Sequence, residues 1–373
     1  MAMILTLSFV NGFQQTVSEK VFSFWGHIRV QHLEASKALV AEETPITKND
    51  TVVAIIQQQK GIQHIQAFAT KSAVLEKDKE IEGVLFKGIE ATYDSTQLKP
   101  YIVQGRWPSF TNNLYSKEIL VSQPIAKSLQ LQANDTVNIY FISPENRSYR
   151  KLVVAGIYKT GIEEYDKLFA IGDIRLVQRL NDWQPDQIGG YEIFLDNYHQ
   201  MDTINSQLYN ALPAAWMSRT IKEVYPNIFD WLNIQDVNRN VIFIVMAIVA
   251  VINLVTCLLI LVLERTKMVG LLKAVGTDNW MIRQIFLYYA CVITCAGIGI
   301  GLIGGVGICL LQQHTHFITL DESSYYVAYA PVAIIWWQVV AVCAGTAVVC
   351  FLSLLIPTLL IKNIEPVKAI QFK

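Results

Sequence analysis

The strongest constraint on this fold is a set of long runs without a charged residue. Three follow one another, at residues 241–263, 284–311 and 325–361, and the last contains its most plausible membrane span at 334–361. A helix of roughly 20 residues crosses a bilayer core of about 30 Å, so each run is long enough to span. Buried helices of soluble proteins rarely extend as far without a charge. The sequence therefore predicts three transmembrane helices in this part of the chain.

The N-terminus is apolar over a shorter distance. Residues 1–10 lack the length of a span and the basic start of a signal peptide, and the apolar pattern breaks at Asn11-Gly12-Phe13. We expect residues 1–20 to be the outer part of a first transmembrane helix whose beginning is missing from this chain. The expected fold class is an α-helical membrane protein with four spans, the first of them truncated here, and a large extracytoplasmic α+β domain of two small subdomains.

The distribution of Lys and Arg predicts the orientation, because these residues concentrate on the cytoplasmic side. We expect two cytoplasmic segments, residues 264–283 and the tail 362–373, and a periplasmic loop at 312–333. The loop has no Lys or Arg and only two acidic residues. An even number of crossings separates it from residues 21–240, which we therefore place outside as well. The basic residues of the two cytoplasmic segments are Arg265, Lys267, Lys273, Arg283, Lys362, Lys368 and Lys373.

The polar region 21–240 has the alternating and helical patterns of a mixed α/β domain. Helices are predicted at 49–59 and 125–131, and strands at 62–75, 81–89, 101–103, 118–122, 137–142 and 152–158. The last two strands form a hairpin through the connection 143–150. We expect two small subdomains with a boundary near residues 107–113.

Composition and motifs argue against an enzyme. The net charge of −1 and the lack of a basic run exclude a typical nucleic-acid-binding protein. The acidic group Glu163, Glu164 and Asp166 has no neighbouring base and is expected to be a solvated turn. His314 and His316 lack a third ligand at metal-binding spacing. All six cysteines lie in the apolar runs: Cys257, Cys291, Cys295, Cys309, Cys343 and Cys350. We expect no catalytic, cofactor or metal site.

A glycine-rich stretch in the second apolar run matches a dinucleotide-binding pattern only superficially. Gly299, Gly301 and Gly304 follow G-x-G-x-x-G, but the motif lies within an uncharged run and not after a strand. Small residues in membrane helices instead allow close helix packing. Gly297, Gly301 and Gly305 recur at four-residue spacing, so we predict that this face contacts another helix, in the same chain or in a second copy.

Residues 264–283 combine basic and apolar side chains. An apolar stripe at helical spacing predicts a short amphipathic helix on the cytoplasmic surface. The stripe consists of Met268, Leu271, Leu272 and Val275. Gly276 should end the helix, and Thr277-Asp278 should begin the next one at 279 or 280. Two interpretations remain open from the pattern alone: an anchor on anionic lipid, or a docking element for a cytoplasmic partner.

The same segment carries a family resemblance. Residues 264–290 read ERTKMVGLLKAVGTDNWMIRQIFLYYA, which resembles the segment after the second span of the FtsX-like permease family of ABC transporters. Similar matches run along the chain, with the lipoprotein-releasing (Lol-type) permeases as the nearest branch. They are VNGFQQTVSEKVFSFWGHIRV at 10–30, EILVSQPIAKSLQLQANDTVNIYF at 118–141, LVVAGIYKTGIEEYD at 152–166 and IEPVKAIQFK at 364–373.

The resemblance implies a permease subunit in the bacterial inner membrane that lacks its own nucleotide site, and the sequence has no G-x-x-x-x-G-K-[ST] motif. ATP and Mg would be bound by a separate cytoplasmic ABC ATPase dimer. That dimer would push on Glu264, Arg265, Lys267, Gly270, Leu271, Lys273, Ala274 and Gly276. Other implied partners are a second permease subunit, identical or different, membrane lipid, lipoprotein cargo and a periplasmic carrier.

The implied function is lipoprotein release from the outer leaflet of the inner membrane by mechanical transmission. Two alternatives remain: an efflux permease of the macrolide-exporter type, and a signalling complex that activates a cell-wall hydrolase. The sequence departs from the family at Met268, where many relatives have an acidic residue. It departs again at 143–150, which is short where carrier-recruiting subunits have a long protruding hairpin. Either this chain is the non-recruiting partner of a heterodimer, or its system has another acceptor.

Overall fold

The computed structural model describes residues 1–33, 44–110, 115–142 and 147–360. Two compact units divide the chain. The first, which we call the helical unit, comprises Met1–Thr16, Asp230–Leu320 and Tyr329–Lys373. The second, the polar unit, comprises Val17–Phe229 and the short segment Asp321–Ala328.

The helices are α1 Ala2–Trp25, α2 Asp50–Gln57, α3 Gln123–Ser128, α4 Glu163–Asp166, α5 Ile174–Leu180, α6 Met201–Ala211, α7 Ile221–Val224, α8 Pro226–Glu264, α9 Thr266–Ala274, α10 Asn279–Thr315, α11 Glu322–Tyr325 and α12 Trp336–Leu360. The strands are β1 Ile28–His32, β2 Ile46–Thr47, β3 Ile62–Lys77, β4 Glu80–Ile89, β5 Ile102–Gly105, β6 Glu118–Ser122, β7 Thr136–Ile142, β8 Arg147–Tyr158, β9 Phe169–Asp173, β10 Gln187–Ile188, β11 Gly190–Leu195 and β12 Trp216–Thr220.

Six strands of the polar unit close into a ring, in the order β3-β4-β9-β6-β8-β7 and back to β3. Closure removes the free strand edges that invite aggregation. Phe86 and Phe141, both buried, meet with ring centroids 5.6 Å apart. A Cβ on Gly172 would lie 2.4 Å from the Phe86 ring, so the glycine leaves the room that the aromatic residue fills.

The predicted boundary near 107–113 does not separate two sheets. Strands from both sides of it pair within the ring, since β4 pairs with β9 and β3 with β7. The long strand β3 also extends beyond the ring, where its first half pairs with β11, and β11 leads to β1 and β12. The described strands of the main sheet are therefore continuous across this boundary, and the division into two subdomains stays a prediction.

The first helix is continuous through Asn11-Gly12-Phe13, where the apolar pattern of the sequence breaks. It runs from Ala2 to Trp25, and this stretch makes packing contacts. Asn11 Nδ2 donates a hydrogen bond of 2.6 Å to Gln338 Oε1. A Cβ on Gly12 would lie 2.6 Å from the carbonyl oxygen of Pro331, so only glycine permits this approach. These residues therefore hold α1 against α12 and the segment before it.

The helical unit contains helices at the three predicted spans. By length and apolarity, Pro226–Cys257 of α8 and Trp280–Thr315 of α10 qualify as membrane-crossing among the described residues, and the apolar part of α12, Trp336–Leu352, is shorter. With 39 residues, α8 is about 58 Å long at about 1.5 Å per residue, well beyond a bilayer core of about 30 Å. The count of four spans stays a prediction.

Candidate functional site

The end of helix α9 and the start of α10 are held by local chemistry that the sequence displays. Its C-terminal end has two bonds of a Schellman motif: the Gly276 N–H donates to the Lys273 carbonyl and the Thr277 N–H to that of Leu272, both at 3.0 Å. Gly276 adopts a φ of +90°, which favours glycine. The Asp278 side chain then accepts from the Trp280 N–H and begins α10 at Asn279. The two helices are thus joined by a short, defined corner.

The apolar stripe predicted on α9 is mostly exposed in the described chain. Leu271 is 62% exposed and Val275 79%, whereas Val269 and Gly270 are the buried positions. Helical spacing identifies a face but cannot say whether the chain itself or a partner covers it. In this structure the chain covers Val269 and Gly270 and leaves most of the predicted stripe exposed.

The other predicted docking residues lie on or beside this surface. Glu264 ends α8, Arg265 is the residue before α9, and Lys267 is exposed, as are Ala274 and Gly276. Lys273 is half-buried. Sequence reasoning did not single out Trp280 and Met281, which are 58% and 57% exposed at the start of α10. The sequence signal that could have identified them is a pair of large apolar residues shortly after the helix cap at Asp278. The docking role of this surface stays a prediction.

A second feature is an apolar groove of about 570 Å³ within the helical unit, lined by α1, α8 and α12. At the end where α8 enters its uncharged run, the lining is polar, with Arg239, Asn240 and Gln338. Arg239 pairs with Asp236 at 2.9 Å. The rest of the lining is almost entirely apolar: Met3, Leu7, Phe243, Ile244, Ala247, Ala250, Val251, Leu254, Trp337, Ala341, Val342, Gly345, Thr346, Val349 and Cys350. A polar end and a long apolar body suit an amphiphile.

The predicted glycine face is only partly in contact within the chain. Gly305 faces Ile4 and Gly301 faces Met1, both on or beside α1. Around Gly297, an added Cβ would meet no heavy atom within 4 Å in the described part of the chain. The face thus includes both a contact with α1 and open space.

The sequence predicts a solvated turn at 163–166, but only part of this acidic group is exposed to solvent. Asp166 is buried, and its carboxylate accepts hydrogen bonds from the Thr160 N–H and hydroxyl and from the Gly161 N–H. Burial raises the pKa of Asp166, while these hydrogen bonds oppose the rise. Glu163 and Glu164 are exposed. The carboxylate of Asp166 organises the loop around it.

The two histidines of the second apolar helix do not form a metal site with other ligands in the described residues. His316 ends α10 with a φ of +49°, and the centroid of its ring lies 4.0 Å from that of Tyr329, with the two rings tilted by 49°. Its geometry is that of a helix terminus.

These features define a class: a helical membrane protein that carries a large α+β domain and presents a short exposed helix after a long one. A model of the FtsX-like permease C-terminal family matches residues 240–366, and one of the MacB-like periplasmic core domain matches residues 1–208. The chain belongs to the FtsX-like permease family, with a MacB-like periplasmic core domain, and is an ABC transporter permease subunit. The predicted resemblance is confirmed.

Relatives along nearly the whole chain include the lipoprotein-releasing system transmembrane proteins LolE and LolC of Haemophilus influenzae. LolE is 23% identical over 99% of this chain and 90% of its own length. LolC is 21% identical over 100% of this chain and 90% of its own length.

Two solved structures resemble part of the chain. The extracellular domain of the noncanonic ABC-type transporter YknZ from Gram-positive bacteria is 14% identical, with a TM-score of 0.35, over 52% of this chain and 98% of that one. The periplasmic region of MacB from Actinobacillus actinomycetemcomitans is 12% identical, with a TM-score of 0.36, over 54% of this chain and 91% of that one.

Proposed function

We propose that this chain is a permease subunit that releases lipoproteins from the outer leaflet of the bacterial inner membrane, driven by ATP hydrolysis in a separate ATPase. The observation that carries the proposal is the full-length similarity to LolE and LolC, which spans the helices and the periplasmic domain alike. A lipoprotein is an amphiphile whose acyl chains need an apolar site and whose polypeptide stays in water.

The groove lined by α1, α8 and α12 suits such a cargo. Its apolar lining would hold acyl chains, since burial of each CH₂ group contributes about 0.8 kcal/mol. Arg239 and Asn240 at the polar end would face the glyceryl and peptide groups. The spans themselves carry no charged residue in the runs 241–263 and 284–311, which supports a mechanical role over a pathway for ions.

The exposed stripe of α9 supports docking of the ATPase. In this proposal the ATPase dimer, which binds ATP and Mg, covers Leu271 and Val275 and moves α10 through the corner at Gly276. A second permease subunit completes the complex, and the open space at Gly297 offers a place for its helices.

The carrier is proposed to dock elsewhere than on this hairpin. Strand β8 begins at Arg147, opposite Ile142 on β7, so only residues 143–146 separate the two strands. That connection is shorter than the predicted one. The proposal therefore has two forms: the chain is the non-recruiting partner of a heterodimer, or its system has another acceptor.

The test is release of triacylated lipoprotein from proteoliposomes that contain the purified permease–ATPase complex. We expect release to need ATP and to fall at least tenfold in Ala247→Trp, which fills the groove. Ile303→Trp is the matched control, because Ile303 is 75% exposed on α10 and does not line the groove. Failure of the wild-type complex to release lipoprotein would contradict the proposal.

The alternative with its own support is efflux, since the periplasmic core matches a MacB-like model. In that case the same complex would show ATP hydrolysis stimulated by an amphiphilic drug and not by lipoprotein. Stimulation only by a cell-wall hydrolase would favour the signalling complex.

A further inference from the structure

A short part of the connection between α10 and α12 belongs to the polar unit. The chain leaves α10, contributes Asp321–Ala328 to the polar unit, and returns to the helical unit at Tyr329. We call Asp321–Ala328 the strap. It includes the single-turn helix α11 and the buried residue Val327.

Three polar contacts join the strap to the rest of the polar unit. Lys159, just after β8, forms an ion pair with Glu322. Lys20 on α1 donates a hydrogen bond of 2.7 Å to the Tyr326 carbonyl, and the Tyr326 hydroxyl donates one of 3.3 Å to Glu164. Each contact joins the strap to a different part of the domain: α1, the end of β8, and α4.

The loop around Gly161 allows close contact with the strap. Gly161 has a φ of +79°, and a Cβ there would lie 2.5 Å from Glu322 Oε1 and 2.7 Å from Lys20 Nζ. A side chain there would displace the Glu322 carboxylate and the Lys20 ammonium, and the positive φ strains any residue other than glycine. Asp166 fixes the conformation of this loop by accepting hydrogen bonds from the N–H groups of Thr160 and Gly161. Gly161 and the buried Asp166 carboxylate thus allow close contact between this loop and the strap.

The connectivity gives the strap a mechanical position. Helix α9 is joined to α10 by the capped corner at Gly276 and Asp278, and residues 316–320 join the end of α10 to the strap. The chain therefore links α9, through α10 and this short connection, to a segment that belongs to the periplasmic domain. The ion pair is half-exposed, with 37% and 26% of the two side chains accessible, so water can replace it when the strap moves.

We infer that the strap is a coupling contact, and that Lys159, Glu322 and Lys20 are positioning residues through which movement of α10 and α12 reaches the periplasmic domain. This inference rests on the proposal that a separate ATPase drives the chain. It does not depend on which cargo the domain moves.

The test is hydrogen–deuterium exchange of the permease–ATPase complex in lipid nanodiscs, with and without a non-hydrolysable ATP analogue. In the wild type we expect exchange to change in both the strap and residues 159–166 when the analogue binds. In Glu322→Lys the change should be confined to the strap, with at least a threefold loss of the response at 159–166. ATP hydrolysis should stay within twofold of wild type.

The double variant Lys159→Glu/Glu322→Lys restores opposite charges and should recover at least half of the response at 159–166. Asp202→Lys is the matched control, because Asp202 forms a Lys–carboxylate pair of 2.8 Å with Lys222 elsewhere in the polar unit, and it should leave the response unchanged. An unchanged response in Glu322→Lys would overturn the coupling role, as would the lack of any response at 159–166 in the wild type. Loss of lipoprotein release with an intact exchange response would count against the proposed cargo alone.

Discussion

The polar unit buries its largest apolar side chains, whereas the helical unit exposes many of its own. In the polar unit, large residues such as Trp25, Phe86 and Phe169 are fully buried. In the helical unit, Val292, Ile300 and Ile303 are 68%, 74% and 75% exposed. Within Pro226–Cys257, the 18-residue stretch that qualifies as membrane-crossing has no buried residue. The difference indicates that one unit supplies its own core in water, whereas the other exposes apolar side chains that suit a lipid environment.

Charges show the same contrast. The polar unit buries Lys87 and Glu192 completely, as an ion pair of 2.7 Å, with the Lys87 ammonium 4.2 Å from the centre of the Trp25 ring. Arg29 lies over the same tryptophan at 4.4 Å. The uncharged runs of the helical unit contain no such groups to bury. Stability should therefore depend on electrostatics in one unit and on helix contacts in the other.

The largest effect is expected at the buried ion pair. Lys87→Met removes the ammonium group that pairs with the buried Glu192 carboxylate, and should lower the free energy of unfolding of the polar unit by about 3–5 kcal/mol. Hydrogen exchange of the amides in β4 and β11 of the purified chain measures this loss. In Lys87→Met/Glu192→Leu most of the stability should return, and a double variant as unstable as the single one would contradict the electrostatic explanation.

Acid should weaken the polar unit through His27. Its Nδ1 accepts the Leu195 N–H at 3.0 Å, and burial lowers its pKa to about 4 from 6.5. Below pH 6.5 the unfolded chain takes up a proton that the folded chain does not. The free energy of unfolding should therefore fall between pH 6.5 and 4, by about 3 kcal/mol at most.

The control for this pH dependence is His27→Gln, which keeps an acceptor near Leu195 but does not titrate. The variant should lose the part of the dependence that lies between pH 6.5 and 4. Unfolding curves of the two proteins that run parallel across this range would exclude His27 as the cause.

The exposed stripe of α9 belongs to the helical unit, and a substitution there tests the proposed docking of the ATPase. Leu271→Asp should weaken association with the ATPase by about 2 kcal/mol or more, roughly 30-fold, because it places a charge in the centre of the proposed interface. Membrane insertion should be normal, since Leu271 is not packed in the chain. Co-purification measures the loss, and Ile300→Asn on exposed α10 controls for a general effect of polarity.

Gly270→Asp should also prevent association, but Gly270 is buried, so its effect includes damage to the helix corner. Normal co-purification of Leu271→Asp would refute docking at this stripe.

A smaller effect is expected from helix packing at glycine. Gly12→Ala forces α1 away from the Pro331 carbonyl and should cost about 1–2 kcal/mol, as overpacking does. Gly297→Ala meets open space and should be neutral, or stabilising by up to about 1 kcal/mol through helix propensity. Thermal inactivation of the chain in nanodiscs compares the two. Equal losses would show that the space at Gly297 is occupied in the assembled complex.

Local features of this fold could be predicted from the sequence. Strand 118–122 matches β6, and the end of α9 at Gly276 with a cap at Asp278 follows from short-range hydrogen bonding. The apolar pattern breaks at Asn11-Gly12 while the helix continues, because the same residue types serve both helix ends and close packing. Only the neighbour at Pro331, far away in sequence, distinguishes these roles.

By itself, the sequence determined where lipid-facing helices lie, where they end and which family the chain belongs to, because these depend on composition and on neighbours a few residues apart. Tertiary structure alone decided the closed ring, since it needs β3 to pair with β7 and β4 with β9 across long stretches of chain. It also decided that Asp166 is buried, that Val269 and not Leu271 is covered, and that the strap sits on the polar unit. Each of these depends on which distant surface excludes water, and no local pattern contains that information.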